Sequence, residues 1–252
     1  MDTTLKDRFS HFWDIYFPGA ELPITLYYTD DATRAECVPA PRGHVCFVAQ
    51  LAGVRNGRPR AFNVDSLGCP GGKRYLGFSQ ELMPNFEYFL SCGIPGKLEG
   101  ERYKKSPEIV RELIEKDPAF VAPASYAVFK RWDQLEPEDA PELVIFFAPP
   151  DVLSGLYTLA GFDMSELEGV IAPFCAGCGA IVQQPYMQKD QTEPRAVLGM
   201  FDVSARPYVQ KDLLTFTVPM GKFVRMMDDV QESFLTTPSW ERVKKRIRED
   251  CC

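Results

Sequence analysis

Two segments in opposite halves of this chain read alike, and they constrain its fold more than any other feature. PITLYYTDD at 23–31 and LVIFFAPPD at 143–151 are runs of apolar, β-branched and aromatic residues that end on Asp, the composition of a strand followed by a turn. Further on, Cys46 and Arg74 share their spacing with Cys178 and Arg206, and each half then reaches an apolar-Pro step, Ile94-Pro95 and Val218-Pro219. The common order predicts two copies of strand, helix, cysteine strand, loop with Arg and return strand, over 20–100 and 140–222, with C-terminal helices at 222–250. Two such halves are expected to pack about a pseudo-twofold axis, with a ligand site at the seam. The copies differ in one respect that bears on function: GCPGGKR in the first becomes MFDVSAR in the second, so Phe201 stands where Cys69 does and any site there is asymmetric.

The remaining pattern fills in a single globular unit over 1–252, since 252 residues at 45% hydrophobic can bury a sizeable core. Phe9, Phe12, Trp13 and Tyr16 recur at helical spacing in 3–17 before Pro18-Gly19, which leaves His11 on the surface. GHVCFVAQLAG reads as a buried strand or a short helix ending at Gly53, AFNVDSLGCPGGKRYLGF as a strand into a glycine-rich loop, and SQELMPNFEYFLSCGIPG as a helix ending near Gly93. Ser106-Pro107-Glu108 opens a helix that should stop before Pro118. YAVFKRWDQL, ELVIFFAPP and DLLTFTVPM are strands, and DVLSGLYTLAGF, GKFVRMMDDVQESFL and the basic segment after Thr237-Pro238 are helices. The expected fold class is α/β or α+β: two pseudo-repeated lobes with mixed sheets and flanking helices sharing one core.

The chemistry rests on cysteines beside glycines. Cys175 and Cys178 form C-A-G-C-G, in which two thiolates three residues apart can bind one metal while Gly177 and Gly179 let backbone amides approach sulfur. Cys69 sits among Gly68, Gly71 and Gly72 and is the best third ligand. Cys46 is the fourth candidate, with burial as a small hydrophobe its plain alternative and Cys92 in SCGIPG its rival. Cys37, Cys251 and Cys252 read as surface thiols. With two histidines, His11 and His44, a metal must rest on sulfur or carboxylate. The cofactor expected is therefore an iron-sulfur cluster, with zinc or none as the alternative; a thioredoxin-like pair is disfavoured because no downstream helix start is evident. Gly71, Gly72, Lys73 and Arg74 also suggest a small-anion cradle, which Arg206 would complete across the seam. The match to a phosphate-binding P-loop fails, because no Ser or Thr follows GK.

The order of PITLYYTDD, the Cys46 segment, GCPGGKRYLGF, C-G-I-P-G, ELVIFFAPPDVL, FCAGCGA and the Val-Pro step resembles the uncharacterised family called domain of unknown function 169, conserved in archaea and anaerobic bacteria, over nearly the whole chain. The resemblance implies no particular reaction. It implies an anaerobic setting, in which an iron-sulfur cluster is at home.

Composition and motifs exclude several classes. Twenty-eight Lys and Arg against 35 Asp and Glu give a net charge of −7, contrary to what nucleic acid or an anionic membrane rewards. No apolar run is long enough to span a bilayer and the N-terminus lacks a signal peptide's apolar stretch, so a cytoplasmic protein with reduced thiols is expected. GxSxG, HExxH and the dinucleotide fingerprint are missing, and Asp30, Asp31 and Asp151 read as caps. Two readings follow. One is a cysteine-ligated metal or iron-sulfur protein that transfers electrons to a redox partner or activates a small substrate; with three thiolates bound, an open iron would act as a Lewis acid. The other is a non-enzymatic module that binds a small anion beside structural or zinc-bound cysteines.

Overall fold

The computed structural model of the chain describes residues 1–117 and 120–249. Its elements run α1 (Thr3–Tyr16), β1 (Ile24–Thr29), β2 (Glu36–Cys37), α2 (Phe47–Arg55), β3 (Arg60–Phe62), α3 (Pro70–Tyr75), α4 (Phe86–Phe89), α5 (Pro107–Lys116), β4 (Tyr126–Arg131), β5 (Leu143–Ala148), α6 (Pro150–Ala160), β6 (Val170–Ile171), a π-helical turn (Gly179–Gln183) continuing into α7 (Gln184–Gln188), β7 (Ala196–Gly199), β8 (Leu214–Pro219), α8 (Met220–Asp229) and α9 (Pro238–Glu249). The fold is α/β, built on one mixed eight-stranded sheet of order β2-β3-β4-β1-β5-β8-β7-β6.

That order reads the same from either edge. Each edge is a parallel pair, β2 with β3 and β6 with β7, followed inward by antiparallel pairs. β1 pairs with β4 from Ile24↔Arg131 to Thr29↔Tyr126, and β5 pairs with β8 from Leu143↔Pro219 to Ala148↔Leu214, so in both cases the first residue of one strand meets the last of the other. The two sets join through the antiparallel pair β1 and β5.

Each face of the sheet carries its own core, because side chains on a strand alternate between faces. β5 shows why its sequence is apolar throughout: Val144, Phe146 and Ala148 enter one core, and Leu143, Ile145 and Phe147 the other. On the first face lie α1, α6, α8 and α9, with Phe9 packed against Trp13, Trp132, Phe146 and Phe223. Truncating Phe9 to Ala would cost about 3–5 kcal/mol. α1 starts where the Asp2 carboxylate accepts from the Thr4 amide at 2.8 Å. On the second face lie α2, through Phe47, Val48, Leu51 and Val54, and the π-helical turn, through Ile181 and Val182. That turn widens because Pro185 follows it within the same helix and has no amide to give the carbonyl of Ile181.

The structure corrects the expected elements at several places. The cysteine segments are helix starts: Cys46 precedes α2 and Cys178 precedes the π-helical turn. The glycine-rich loop is the short helix α3, with Pro70 in its first turn. Only Phe86–Phe89 of the segment at 79–96 is helical, since Pro84 and the left-handed Asn85 (φ 59°) break it. The return strand of the first half is β4, and Ile94 instead pairs with Leu98 in a small turn. Residues 78–121 are an excursion between α3 and β4 that shifts β4 beyond the expected boundary at 100. Its ends are pinned where the Gly77 carbonyl accepts from the Ala122 amide at 2.9 Å. Gly77 has φ +81°, and a Cβ there would lie 2.5 Å from the Ala122 nitrogen. Pro118, Cys251 and Cys252 lie outside the described residues.

Candidate functional site

A cavity of about 730 Å³ opens on the second face of the sheet, and Cys46, Cys69, Cys175 and Cys178 all line it. Three elements bring them there: the start of α2 places Cys46, the start of α3 places Cys69, and the turn from β6 into the π-helical segment places Cys175 and Cys178. The loop after β7 adds Asp202, and the excursion adds Glu81, Glu101 and Asp117.

Asp202 ties this site together. Its carboxylate accepts from the Gly177 amide at 2.8 Å and from the amide and hydroxyl of Ser204 at 3.0 and 2.8 Å. The turn between the two cysteines is thereby fastened to the loop after β7. A Cβ on Gly177 would stand 2.8 Å from that of Ala205, so only glycine lets the two loops approach this closely. The Cys175 thiol donates to the Pro173 carbonyl at 3.5 Å.

Three of these thiols, Cys46, Cys175 and Cys178, are pushed toward the protonated form. Burial pushes Cys175 up to about 12, with Asp117 and Asp202 adding to it. Burial first, then Cys69, Asp202 and Cys46, pushes Cys178 well above its ordinary value. Cys46 is raised by burial as well, although the amides of Ala49 and Val48 at the helix start pull the other way. Tyr75, whose ring packs on Gly179, is raised by burial and then by Cys178 and Asp117. Asp117 is raised by burial, against the pull of its hydrogen bond from Gln184 and of Arg74. Such thiols are poor nucleophiles as they stand, and a bound cation would be needed to make them thiolates.

Cys92 is apart from this set: it is exposed at a separate glycine-rich turn, where its thiol donates to the Gly93 carbonyl. Of the anion cradle, Gly71 and Arg74 line the cavity, while Gly72, Lys73 and Arg206 do not. Gly72 is buried against Phe47. Arg206 spends its guanidinium on the carbonyls of Leu213 and Lys211 at 2.6 and 2.7 Å, so it cannot complete a clamp with Arg74. Arg74 itself donates to the Gln80 carbonyl at 2.7 Å. A helix does start just after Cys175, contrary to the expectation that weighed against a redox pair, but the raised thiols oppose that role. Asp202, Asp117, Glu81 and Glu101 were missed by sequence reasoning. Only Asp202 carried a local signal, since Asp-Val-Ser is a side-chain-capped turn in sequence. Asp30 accepts from Ser125, Asp31 caps Thr33, and Asp151 pairs with Arg246, all away from the cavity.

Among the described residues, no three His, Cys, Asp or Glu side chains stand close enough to share a single metal ion. No described helix is long and apolar enough to cross a membrane.

The model of the family described as uncharacterised ArCR, domain of unknown function 169, matches residues 21–229. The chain belongs to this family. The match begins just before β1 and ends with α8, so the domain of unknown function 169 contains the whole sheet and every cavity residue named above. No curated protein and no solved structure matches the chain.

Proposed function

We propose that the cavity is a cysteine-ligated metal centre of a cytoplasmic protein, with an iron-sulfur cluster as its cofactor and Cys46, Cys69, Cys175 and Cys178 as ligands. The observation that carries this reading is the convergence on one cavity of cysteines from both halves of the chain. Tetrahedral zinc, with bonds of about 2.3 Å, needs its sulfurs about 3.8 Å apart. A cluster takes one thiolate per iron and spreads its ligands further than a single ion does. Ligation would release protons from these thiols, so loading weakens in acid. The centre would transfer electrons, or activate a small substrate if one iron stays open.

The alternative is a module for a small anion, with Arg74 on the cavity wall in its favour. Four carboxylates on the same lining oppose it. Anaerobic purification followed by visible absorption and by iron, sulfide and zinc analysis tests the metal reading. Iron and sulfide in near-equal amounts are expected; a colourless chain without iron from an iron-replete anaerobic host would refute the cluster, and zinc alone would make the site structural.

A further inference from the structure

The cavity is larger than a cysteine-ligated centre needs. At about 730 Å³ it has the size of sites that enclose drug-sized molecules, and much of its lining is unrelated to the cysteines. Leu82, Met83, Phe86, Leu90, Leu113 and Ile114 all face it from the excursion, a segment with no counterpart in the second half, where only a short loop joins Arg206 to β8. An excursion that served only to cover thiols would gain by collapsing onto them, because apolar side chains facing a void forfeit burial and dispersion. Phe174, Phe201, Val203 and Tyr208 also line the cavity, yet each is between 48% and 68% exposed, which marks an apolar mouth.

Charge narrows the occupant. Glu81, Glu101, Asp117 and Asp202 line the cavity and none of them is in an ion pair among the described residues; among those residues Arg74 is the only Lys or Arg in the lining, and the Lys104 ammonium sits over the Phe174 ring at the mouth. A negatively charged ligand would meet this surplus of like charge at short range. We infer that the cavity binds a drug-sized apolar organic molecule without negative charge, its body against the side chains of the excursion and one end beside the thiols. The inference rests on the shape and lining of the cavity and not on the metal.

The test titrates Nile red, a neutral apolar dye, into the full-length chain as purified, and measures iron on the same samples. One dye per chain is expected, displaced by 1-octanol and by octyltrimethylammonium, with octanoate needing at least about tenfold higher concentration. Ile114→Trp and Leu82→Trp, which fill the cavity, should each weaken dye binding about tenfold or more. The inference is overturned if the dye does not bind stoichiometrically, if octanoate displaces it as readily as octanol, or if both tryptophan variants, folded by circular dichroism, keep the original affinity. Dye binding by an iron-free chain supports this inference while removing the metal reading; iron without dye binding does the reverse.

Discussion

Cys46 precedes α2 as an extended residue and Cys178 lies in the first turn of the helix that becomes the π-helical turn, and both line the cavity on the second face of the sheet. Each follows the first strand of its set, β1 or β5, and those two strands pair at the centre of the sheet. α2 packs over β4 and the π-helical turn over β7 and β8, on the same face of the sheet, and that is how residues far apart in the chain come to share one site.

The ligand assignment predicts which cysteines matter. Replacing Cys46, Cys69, Cys175 or Cys178 singly with Ser should cut iron per chain by about half or more, since each removes a thiolate. Cys92→Ser and Cys37→Ser should leave it unchanged, because both residues are exposed and away from the cavity. Iron and sulfide analysis of the six variants decides this, and loss of iron in Cys92→Ser with retention in Cys46→Ser would reverse the assignment.

The strands were legible in the sequence where burial on both faces forced an uninterrupted apolar run, as in Leu143–Ala148, or where turn residues bounded it, as in Ile24–Thr29. Cys46, Cys69, Cys175 and Cys178, singled out in the sequence by neighbouring glycines and by spacing, line one cavity. What the sequence concealed depends on long-range contact. The excursion hid β4 as the partner of β1, since the Ile94-Pro95 step mimics the Val218-Pro219 end of β8 locally while its actual pairing is with Leu98. Asp117 enters the site only because α5 ends over the cavity, and Arg206 leaves it only because carbonyls of its own loop capture it.

Asp139 holds a buried charge network on the other side of the sheet. Its carboxylate accepts from Lys130 at 2.8 Å, from the Tyr27 hydroxyl at 2.6 Å and from the Glu136 amide at 2.8 Å. Burial alone would raise its pKa, but these hydrogen bonds bring it below the ordinary aspartate value. A depressed folded value contributes stability that is present above the unfolded pKa and is lost as pH falls through the folded one. Asp139→Ala should therefore cost about 2–4 kcal/mol at neutral pH, because it leaves buried Lys130 with only the half-exposed Glu136 carboxylate, at 3.1 Å, as its ion-pair partner. The gap between variant and parent should narrow below about pH 4. Urea unfolding across pH measures it, and a gap that is constant with pH would contradict the network.

Lys222 is the opposite case. It is fully buried at the start of α8, its ammonium contacts the Met164 sulfur at 3.2 Å, and no carboxylate pairs with it among the described residues. Burial lowers its pKa more than Asp163 restores it. A lowered lysine value means that the charged form costs stability below the unfolded pKa, a cost relieved as pH rises past the folded one. Lys222→Met, close in volume and apolar, should raise the melting temperature by a few degrees near neutral pH. The gain should shrink as pH rises toward about 10 and be lost above it. A lower melting temperature at every pH would mean that the ammonium is satisfied.

The raised thiols make a kinetic prediction that separates a bare site from a loaded one. Only the thiolate reacts with iodoacetamide, and a pKa moved from about 9 to about 12 lowers the thiolate fraction at pH 8 roughly a thousandfold. In metal-free chain, Cys175, pushed up to about 12, should be alkylated at least a hundredfold more slowly than exposed Cys37 and Cys92. Cys178, buried and raised by burial, should likewise lag the exposed pair. Peptide mass spectrometry over a time course reads each rate. Adding zinc or rebuilding a cluster converts cavity thiols to metal-bound thiolates, so Cys46 and Cys69 should then become protected while Cys37 and Cys92 keep their rates. Cavity thiols that react as fast as the exposed pair in the metal-free chain would mean that the site is open and polar, and the case for a desolvated metal-binding pocket would fall with it.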